Sequence, residues 1–363
     1  MIKHKDHFHG SDLEKIESIY GIKKEEIISF SANVNPLGVS PKLRTALSEQ
    51  IDAITTYPDR EYTSLRKCIA DYCGTDYENV IVGNGSTELI SLFIQIEHPK
   101  KAMVIGPTYS EYEREISLGG GTTLYYPLKE TDDFKLNVED FIAHLNESID
   151  LLVICNPNNP TSSCISRKDM RHILDACKQH DIYVMVDETY VEFTDKSKYS
   201  CSQLIDSFSK LFVIRGTSKF FSTPGIRLGY ALLSDKDVHQ KIQDTLDLWN
   251  INIFASMMGE IMFVDNDFIS STVDKIKKER DYLTNSLKSL NGVKVYDSFG
   301  NFILCEISSK AVTSASLYDS MTKKGIIIRD CSSFGLGDYF FRVCVLKHDE
   351  NEKLIAELTK ALS

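Results

Sequence analysis

Short runs of valine, isoleucine and leucine alternate with longer amphipathic segments from residue 79 onward, and this alternation constrains the fold most. The apolar runs occupy 80–82, 102–105, 151–155, 182–186, 211–214 and 228–233. Between them, the segments 88–96, 111–118 and 168–180 carry apolar residues at helical spacing. Strand-like runs separated by helices predict βα units in a largely parallel sheet. An antiparallel sheet with separate helices is less favoured, because hairpin turn signals are scarce.

The pattern changes after residue 235. Two long charged segments, 237–249 and 270–290, have helical spacing, and short apolar runs follow at 302–306, 325–328 and 340–345. The first forty residues show no clear period and are predicted to be irregular. A chain of 363 residues is longer than most single domains. We therefore predict an N-terminal arm (1–35), a large domain (36–250) and a small C-terminal α+β domain (251–363).

Composition excludes some classes of partner and compartment. The formal net charge of -11 disfavours a nucleic-acid binder, which needs clustered lysine and arginine. The nine cysteines form no C-x-x-C pair, which indicates free thiols in a reducing compartment. No apolar stretch has the length of a membrane span, and the first residues do not resemble a signal peptide. We expect a cytoplasmic protein without a membrane partner.

Polar residues directly follow four of the predicted strands, where open parallel sheets bind their ligands. The run 80–82 leads into the glycine-rich loop 83–85, and Ser86 and Thr87 then open the next amphipathic segment. Backbone N–H groups at the beginning of a helix form an anion site, so this loop is a candidate phosphate site. A plain turn with a helix cap is the alternative.

Two further strand ends carry an amide and an acid. Asn159 follows the run 151–155 in a loop that two prolines stiffen, and an amide fixed there can donate to a phenolic oxygen. Asp187 ends the apolar run 182–186. A carboxylate in such surroundings needs a cationic partner, because an unpaired buried charge is very costly. A pyridinium nitrogen would supply one.

Lys219 and Arg227 lie in the break between the runs 211–214 and 228–233. A lysine in a partly desolvated pocket has a lowered pKa and can form a Schiff base with an aldehyde, and an arginine suits a phosphate. Alone, the pair is weak evidence, because surface pairs of this kind are common. Together with the amide, the acid and the phosphate-type loop, it predicts a site for pyridoxal 5'-phosphate.

These motifs, in this order, resemble the fold type I pyridoxal-phosphate enzymes of the aminotransferase class I/II family over essentially the whole chain. The resemblance implies an α/β fold with a large, mostly parallel α/β/α sandwich domain and a smaller α+β domain. It also implies a homodimer with shared active sites, in which Tyr57 reaches the cofactor phosphate of the partner subunit.

The same resemblance implies a role for each matching residue. Lys219 is the Schiff-base lysine, Asp187 pairs with the pyridine nitrogen, and Tyr109 stacks on the ring. Asn159 and Tyr190 contact the ring hydroxyl. The cofactor phosphate is held by Ser86, Thr87, Ser218 and Arg227. The family usually has serine or threonine three residues before the lysine, where this chain has Gly216, and we expect Thr217 to replace that contact.

The substrate is expected to carry two anionic groups. The family places a carboxylate-binding arginine where Arg342 stands, and Arg329 supplies a second cation in the same predicted domain. Within the family, the motifs around His9, Asn33 and Arg329 resemble those of the threonine-phosphate decarboxylases most and those of the histidinol-phosphate aminotransferases next. The expected substrate is therefore a phosphorylated amino acid.

Three functions stay open at this point. The favoured one is decarboxylation of L-threonine O-3-phosphate, or of a close analogue such as L-serine phosphate, for cobamide biosynthesis. The second is an aminotransferase of the histidinol-phosphate type that uses 2-oxoglutarate. The third, of a different class, is a non-catalytic regulator that binds pyridoxal phosphate. The histidines His4, His7 and His9 are interpreted as part of a solvated terminus, and no metal site is expected. His9 is also a candidate to fold over the substrate phosphate, and Asn33 is a second candidate for substrate binding.

Overall fold

The computed structural model describes residues 12–310 and 312–362, and its central feature is a seven-stranded sheet in the order β2-β8-β7-β6-β5-β3-β4. The strands are β1 (Ile28–Ser29), β2 (Val80–Asn84), β3 (Lys101–Gly106), β4 (Thr122–Pro127), β5 (Leu151–Cys155), β6 (Tyr183–Asp187), β7 (Leu211–Gly216), β8 (Leu228–Leu232), β9 (Val293–Val295), β10 (Phe302–Ile307), β11 (Ile326–Ile327), β12 (Arg329–Asp330) and β13 (Phe340–Cys344).

The α-helices of the described residues are α1 (Leu13–Tyr20), α2 (Pro41–Glu49), α3 (Thr63–Cys73), α4 (Ser86–Glu97), α5 (Glu111–Leu118), α6 (Val138–Ile142), α7 (Arg167–Gln179), α8 (Lys196–Tyr199), α9 (Lys236–Thr245), α10 (Ile253–Met262), α11 (Asn266–Lys288), α12 (Ser314–Thr322) and α13 (His348–Leu362). Helices α4 to α8 connect strands of the seven-stranded sheet. On one face, Phe93 of α4 stacks on Phe212 of β7 at 4.2 Å between ring centroids. Separate apolar clusters on the two faces bury the sheet on both sides.

The register of the sheet brings the predicted strand ends together. Strands β3 to β7 run parallel, and Cys155 at the end of β5 lies beside Asp187 at the end of β6, which in turn lies beside Ile214 of β7. Strand β8 runs antiparallel to both β7 and β2, so the sheet is mostly rather than wholly parallel. The residues that follow β5, β6 and β7 therefore meet at one edge of the sheet.

A second, antiparallel sheet lies later in the chain, in the order β12-β13-β10-β9. The N-terminal segment joins this region, because β1 pairs in parallel with β11 through Ile28 and Ile326. The two large sheets fall on either side of the predicted domain division at residues 250 and 251. The division itself stays a prediction.

Most of the predicted elements are confirmed. All six apolar runs of the first sheet are strands, and the three amphipathic segments between them are helices α4, α5 and α7. Two predictions were wrong in part, because the helix expected over 237–249 ends at Thr245 and the first forty residues include α1. The edge strand β4 was not predicted, because most of its residues are exposed.

The described residues bear on two expectations from composition, the absence of a membrane span and the state of the cysteines. None of the helices in 12–310 and 312–362 combines the length and the apolar character needed to cross a bilayer. All nine cysteines are free thiols, and seven of them are buried.

Candidate active site

The loop between β2 and α4 forms the candidate phosphate site. Gly85 precedes α4 with a φ of +81°, a conformation that favours glycine. A Cβ at Gly85 would lie 2.3 Å from Arg227 Nη2, so the guanidinium group rests directly against this loop. On β8, a Cβ at Gly229 would lie 2.3 Å from the backbone nitrogen of Ser86. Two glycines thus let the N-terminus of α4 and an arginine approach closely, which suits an anion.

The hydroxyl residues near this loop differ in their accessibility. Thr87 is exposed in the first turn of α4, and Ser218 is partly buried beside the lysine. The expectation that Thr217 replaces the missing contact at Gly216 is wrong. The Thr217 hydroxyl is buried, donates to Leu228 O at 3.1 Å and accepts from Thr223 Oγ1 at 3.0 Å, so it is committed to the interior.

Asp187 is buried at the end of β6, and its hydrogen-bond partners are uncharged. Tyr112 Oη donates to Oδ2 at 2.6 Å, while the backbone N–H and the hydroxyl of Thr189 donate to Oδ1 at 2.9 and 2.5 Å. Burial raises the pKa of the Asp187 carboxyl, and these three donors oppose the rise. The carboxylate is oriented but lacks a countercharge among these partners.

Two tyrosines lie near this acid. Tyr109 contacts Tyr112 edge-on at 5.6 Å, and its pKa is raised by burial and by the nearby Glu111, Tyr190 and Asp187. Tyr190 is 6% exposed. Burial raises the pKa of Tyr190 to about 12, so its phenol is neutral at physiological pH.

Lys219 lies past the end of β7 and is partly buried. Its ammonium group donates to the Ala32 carbonyl at 2.9 Å. Burial and the neighbouring Arg342 lower the pKa of Lys219 to about 8. A substantial fraction of this amine is therefore neutral, and nucleophilic, slightly above neutral pH.

Arg342, in the middle of β13, joins the predicted site residue Asn159 to the N-terminal segment. Its Nη1 donates to Asn159 Oδ1 and its Nη2 donates to Ser31 O at 2.8 Å. Its guanidinium lies 5.2 Å from the centroid of the Phe302 ring. Arg342 is only 4% exposed, and its Nε has no hydrogen-bond partner among the described residues. A buried guanidinium of this kind requires an anion or further acceptors.

Arg329 is the direct neighbour of Arg342 across the β12–β13 pair. Its Nη2 donates to Ser333 Oγ at 3.0 Å, and its guanidinium lies 5.3 Å from the Phe334 ring centroid. Burial and the charge of Arg342 lower the pKa of Arg329. Two cations placed this close together favour the binding of anionic groups.

Asn33 and Asn301 complete this side of the site. Asn33 is 1% exposed, donates from Nδ2 to Tyr190 Oη at 3.4 Å, and leaves its Oδ1 without a partner among the described residues. Asn301, which the sequence patterns did not single out, donates from Nδ2 to Asn33 O at 2.9 Å. The one feature of the sequence that could have pointed to Asn301 is its position as a polar residue directly before the apolar run 302–306.

Tyr57 lies away from the site within this chain, and one predicted substrate residue lies outside the described part of the chain. Tyr57 is 75% exposed and stacks on Trp249 at 4.4 Å between ring centroids. His9 lies outside the described residues, as do His4 and His7. In 12–310 and 312–362, no cluster of three or more histidine, cysteine, aspartate or glutamate residues could hold a metal ion.

The described residues fit pyridoxal phosphate. A buried carboxylate without a countercharge suits a pyridinium nitrogen, and an amine whose pKa is about 8 suits an aldehyde. The loop around Gly85 and Arg227 suits the phosphate. These features lie at or beyond the carboxyl ends of β2, β6 and β7, with β8 between β2 and β7.

Comparison with known proteins agrees with this geometry. Residues 25–358 match the family described as Aminotransferase class I and II. The chain belongs to this family. A relative from Caldanaerobacter subterraneus subsp. tengcongensis named "Putative threonine-phosphate decarboxylase" is 38% identical over 90% of this chain and 88% of the relative. A histidinol-phosphate aminotransferase from Methanosphaera stadtmanae is 30% identical over 97% of this chain and 95% of the relative.

Solved structures show the same fold. The histidinol-phosphate aminotransferase of Clostridium acetobutylicum superimposes with a TM-score of 0.86 at 32% identity, over 92% of this chain and 98% of that one. The enzyme of the same name from Sinorhizobium meliloti, whose structure holds pyridoxal-5'-phosphate, has a TM-score of 0.84 at 20% identity, over 99% and 96%. The chain is thus a pyridoxal-phosphate-dependent enzyme with a fold type I architecture. These findings disfavour the alternative of a non-catalytic regulator.

Proposed function

We propose that this enzyme decarboxylates L-threonine O-3-phosphate, or a close analogue such as L-serine phosphate, and so supplies an amino alcohol phosphate for cobamide biosynthesis. The observation that carries the proposal is the 38% identity to the relative named for threonine-phosphate decarboxylation, against 30% for the first aminotransferase relative. The adjacent cations Arg342 and Arg329 support it, because a phosphorylated amino acid presents a carboxylate and a phosphate.

The residues would share the work as follows. Asp187 would face the pyridine nitrogen, and Tyr109 would lie against the ring. Asn159 and Tyr190 would donate to the ring hydroxyl. The cofactor phosphate would be held by Ser86, Thr87, Ser218 and Arg227. Once bound, the cofactor draws electrons from the bonds of the substrate Cα.

Lys219 would act twice. Its neutral amine would hold the cofactor at the aldehyde carbon, with the aldehyde oxygen lost as water. The substrate amine would take its place, and the freed Lys219 would carry the proton that the substrate ammonium group gives up. It would then give one proton to Cα after the bond from Cα to the carboxylate breaks and carbon dioxide leaves, so that one proton replaces one carboxylate. Arg342 would hold that carboxylate, Arg329 would bind the substrate phosphate, and His9 and Asn33 would close the substrate side.

Transamination of histidinol phosphate is the second candidate, because aminotransferases of that name match nearly the whole chain. In that reaction Lys219 would take a proton from Cα and deliver it to the aldehyde carbon of the cofactor. The deciding difference is which Cα bond stands perpendicular to the cofactor ring. Only electrons in that bond can enter the ring system.

Product analysis separates the two reactions. The holoenzyme is incubated with phosphothreonine, phosphoserine or histidinol phosphate, each with and without 2-oxoglutarate. Carbon dioxide released without the oxoacid supports the proposal. Glutamate formed only with the oxoacid would establish an aminotransferase instead. Borohydride treatment of the yellow holoenzyme fixes the cofactor to one peptide, which we expect to contain Lys219.

Substitutions of the two arginines test the substrate class. Arg342→Ala and Arg329→Ala should each raise KM for the phosphorylated substrate strongly, by about 100-fold if one charged hydrogen-bonded contact is lost. Lys277→Ala is a suitable control, because Lys277 pairs with Asp281 on the exposed face of α11. Unchanged KM in both arginine variants would remove the argument for two anionic groups.

We also propose a homodimer in which Tyr57 contributes to the partner's site. The exposed position of Tyr57 leaves it available for such a contact. Mixing Lys219→Ala subunits with Tyr57→Ala subunits tests this arrangement. A mixed dimer would contain one complete site only if the tyrosine is supplied across the interface, so activity recovered on mixing would support sharing. Activity no higher than that of the separate variants would exclude it.

A further inference from the structure

Three successive backbone carbonyls, in a segment that we name the strap (residues 31–33), accept hydrogen bonds from three side chains of the site. These bonds are Arg342 Nη2 to Ser31 O at 2.8 Å, Lys219 Nζ to Ala32 O at 2.9 Å, and Asn301 Nδ2 to Asn33 O at 2.9 Å. The strap therefore contacts the two cations at the centre of the site, and Asn301 is its third contact.

Both ends of the strap are anchored. Before it, Phe30 donates its backbone N–H to Ile327 O at 2.7 Å and accepts from Cys344 N at 2.8 Å. After it, the backbone N–H of Asn35 donates to Lys219 O at 2.9 Å, and the Asn35 side chain donates to Phe220 O at 2.8 Å. Between these anchors, the directions in which the carbonyls of Ser31, Ala32 and Asn33 point are set by the backbone dihedral angles of the strap.

That backbone holds a conformation that needs support. Asn33 has a φ of +54°, in the left-handed region, which costs a residue with a Cβ about 1 kcal/mol. Asparagine tolerates this region better than most residues do. The Asn33 carbonyl is nevertheless buried, and without a donor it would lose a hydrogen bond that the interior cannot replace.

Asn301 supplies that donor from a rigid frame. It is fully buried, and its own carbonyl accepts from Val345 N at 2.7 Å. The preceding Gly300 donates to Ser162 Oγ at 2.8 Å and accepts from Arg280 Nη1 at 2.7 Å. These bonds fix the backbone that carries the Asn301 side chain, and the one hydrogen bond that its side-chain amide makes among the described residues is the one to the strap.

We propose that Asn301 is a positioning residue that holds the strap over Lys219 and Arg342. It does not contact either cation; it acts through the carbonyl of Asn33. The strap keeps the Ala32 carbonyl on the amine and excludes water from it. This role does not depend on which Cα bond the enzyme breaks, so it can fail or succeed independently of the proposed reaction.

The titration of Lys219 is the readout that a purely structural role would not move. Burial is the main cause of its lowered pKa, Arg342 lowers the pKa further, and Cys344 opposes the change. If the strap loosens, water reaches the ammonium group and replaces the Ala32 carbonyl. Because the burial contribution is the largest, the pKa of Lys219 should then rise toward its ordinary value.

The experiment uses the cofactor-free full chain. An amine-reactive reagent is applied across a pH series, and the labelled fraction of the Lys219 peptide is measured by mass spectrometry. The midpoint for the unmodified chain is expected near pH 8. In Asn301→Leu, which removes the donor at similar volume, the midpoint should rise by about one pH unit.

Asn351→Leu is the matched control. Asn351 is also fully buried and donates from Nδ2 to a backbone carbonyl, Leu346 O, at 2.9 Å; it donates to Glu279 Oε2 and accepts from Leu346 N as well, both at 3.1 Å. Its substitution should lower the free energy of unfolding at least as much while leaving the Lys219 midpoint in place. If Asn301→Leu does not fold, Asn301→Ser, whose shorter side chain cannot span the same gap, should shift the midpoint in the same direction. A midpoint that is unchanged or lower in the folded Asn301 variant would overturn the proposal.

Discussion

Arg215→Met tests the buried ion pair beneath the site. Arg215 donates from Nε and Nη2 to Glu188 Oε2 at 2.9 and 2.8 Å, and its Nη1 lies 3.7 Å from Glu192 Oε1. The three side chains are at most 3% exposed. Glu188 follows Asp187 directly, and Arg215 precedes Lys219 by four residues. The pair therefore joins the two strand ends that carry the candidate acid and the candidate amine.

The expected cost follows from what the substitution leaves behind. Without Arg215, the Glu188 carboxylate stays buried with only neutral donors, among them Cys201 N at 2.5 Å and Ser200 Oγ at 3.1 Å. Removing one partner of a buried ion pair costs about 3–5 kcal/mol, because the remaining charge loses its hydrogen-bonded counterion. We expect a loss near the middle of this range in the free energy of unfolding.

A double-mutant cycle isolates the charge. Glu188→Gln keeps an acceptor for Cys201 N but removes the negative charge, and Glu192 keeps Lys196 as a nearby cation. Arg215→Met combined with Glu188→Gln should therefore lose less stability than Arg215→Met alone. Urea unfolding followed by circular dichroism measures all four proteins. Lys277→Met, which breaks an exposed pair on α11, should cost less than about 0.5 kcal/mol.

Additive losses would refute this reasoning. If the double variant loses the sum of the two single losses, the charge of Glu188 is not what makes the loss of Arg215 costly. The effect would then come from packing around the guanidinium group instead.

Two further predictions concern the cofactor site. Asp187→Asn should stabilise the cofactor-free protein at neutral pH, because burial raises the pKa of Asp187 and the stability that its neutral form contributes is lost as pH rises through that value. The same variant should bind pyridoxal phosphate at least about tenfold more weakly, since no charge faces the pyridine nitrogen; equal cofactor affinity by absorbance titration would contradict the assigned position. Gly229→Ala should weaken cofactor binding and lower the melting temperature, because the added Cβ would lie 2.3 Å from Ser86 N and 2.4 Å from Gly85 C. Gly225→Ala, whose Cβ would meet nothing within 4 Å, is its control, and equal behaviour of the two variants would show that the loop yields freely.

The sequence patterns predicted the sheet and its strand ends because parallel strands that are buried on both faces are nearly continuous apolar runs. Strand β4 lacks that signal, since it lies at the sheet edge and most of its side chains are exposed. The placement of Asp187 and Lys219 at the same edge of the sheet, at the ends of the adjacent strands β6 and β7, followed from topology alone. Sequence patterns do not predict the direction in which a single side chain points. Thr217 is the example, because its hydroxyl forms hydrogen bonds with Thr223 and Leu228 in the interior.

Asn301 shows a different limit. It acts on residue Asn33, which is 268 positions away, and on a carbonyl rather than a side chain. No spacing rule connects two such positions, because the contact exists only after the N-terminal segment joins the C-terminal half through β1 and β11. Chemistry at strand ends is local to each strand and can be predicted from sequence, whereas support from another part of the chain depends on the tertiary structure.

Gly216 is the departure from the family pattern that the structure makes testable. A Cβ at this position would lie 3.5 Å from Ser86 Oγ, 3.6 Å from Ser86 Cβ and 3.8 Å from Leu228 O, all ordinary contacts. A serine therefore fits, and its hydroxyl would lie beside Ser86 in the candidate phosphate loop.

The gain expected from Gly216→Ser can be estimated from one added hydrogen bond. A bond to a charged group contributes about 1.5 kcal/mol or more, so the variant should bind pyridoxal phosphate about tenfold more tightly in an absorbance titration. Gly225→Ser, at a position with open space around its Cβ, should leave the Kd unchanged. If Gly216→Ser binds the cofactor no better than the unmodified chain, position 216 does not face the phosphate. The missing hydroxyl would then carry no cost, and the loop around Gly85 together with Arg227 would suffice to hold the cofactor.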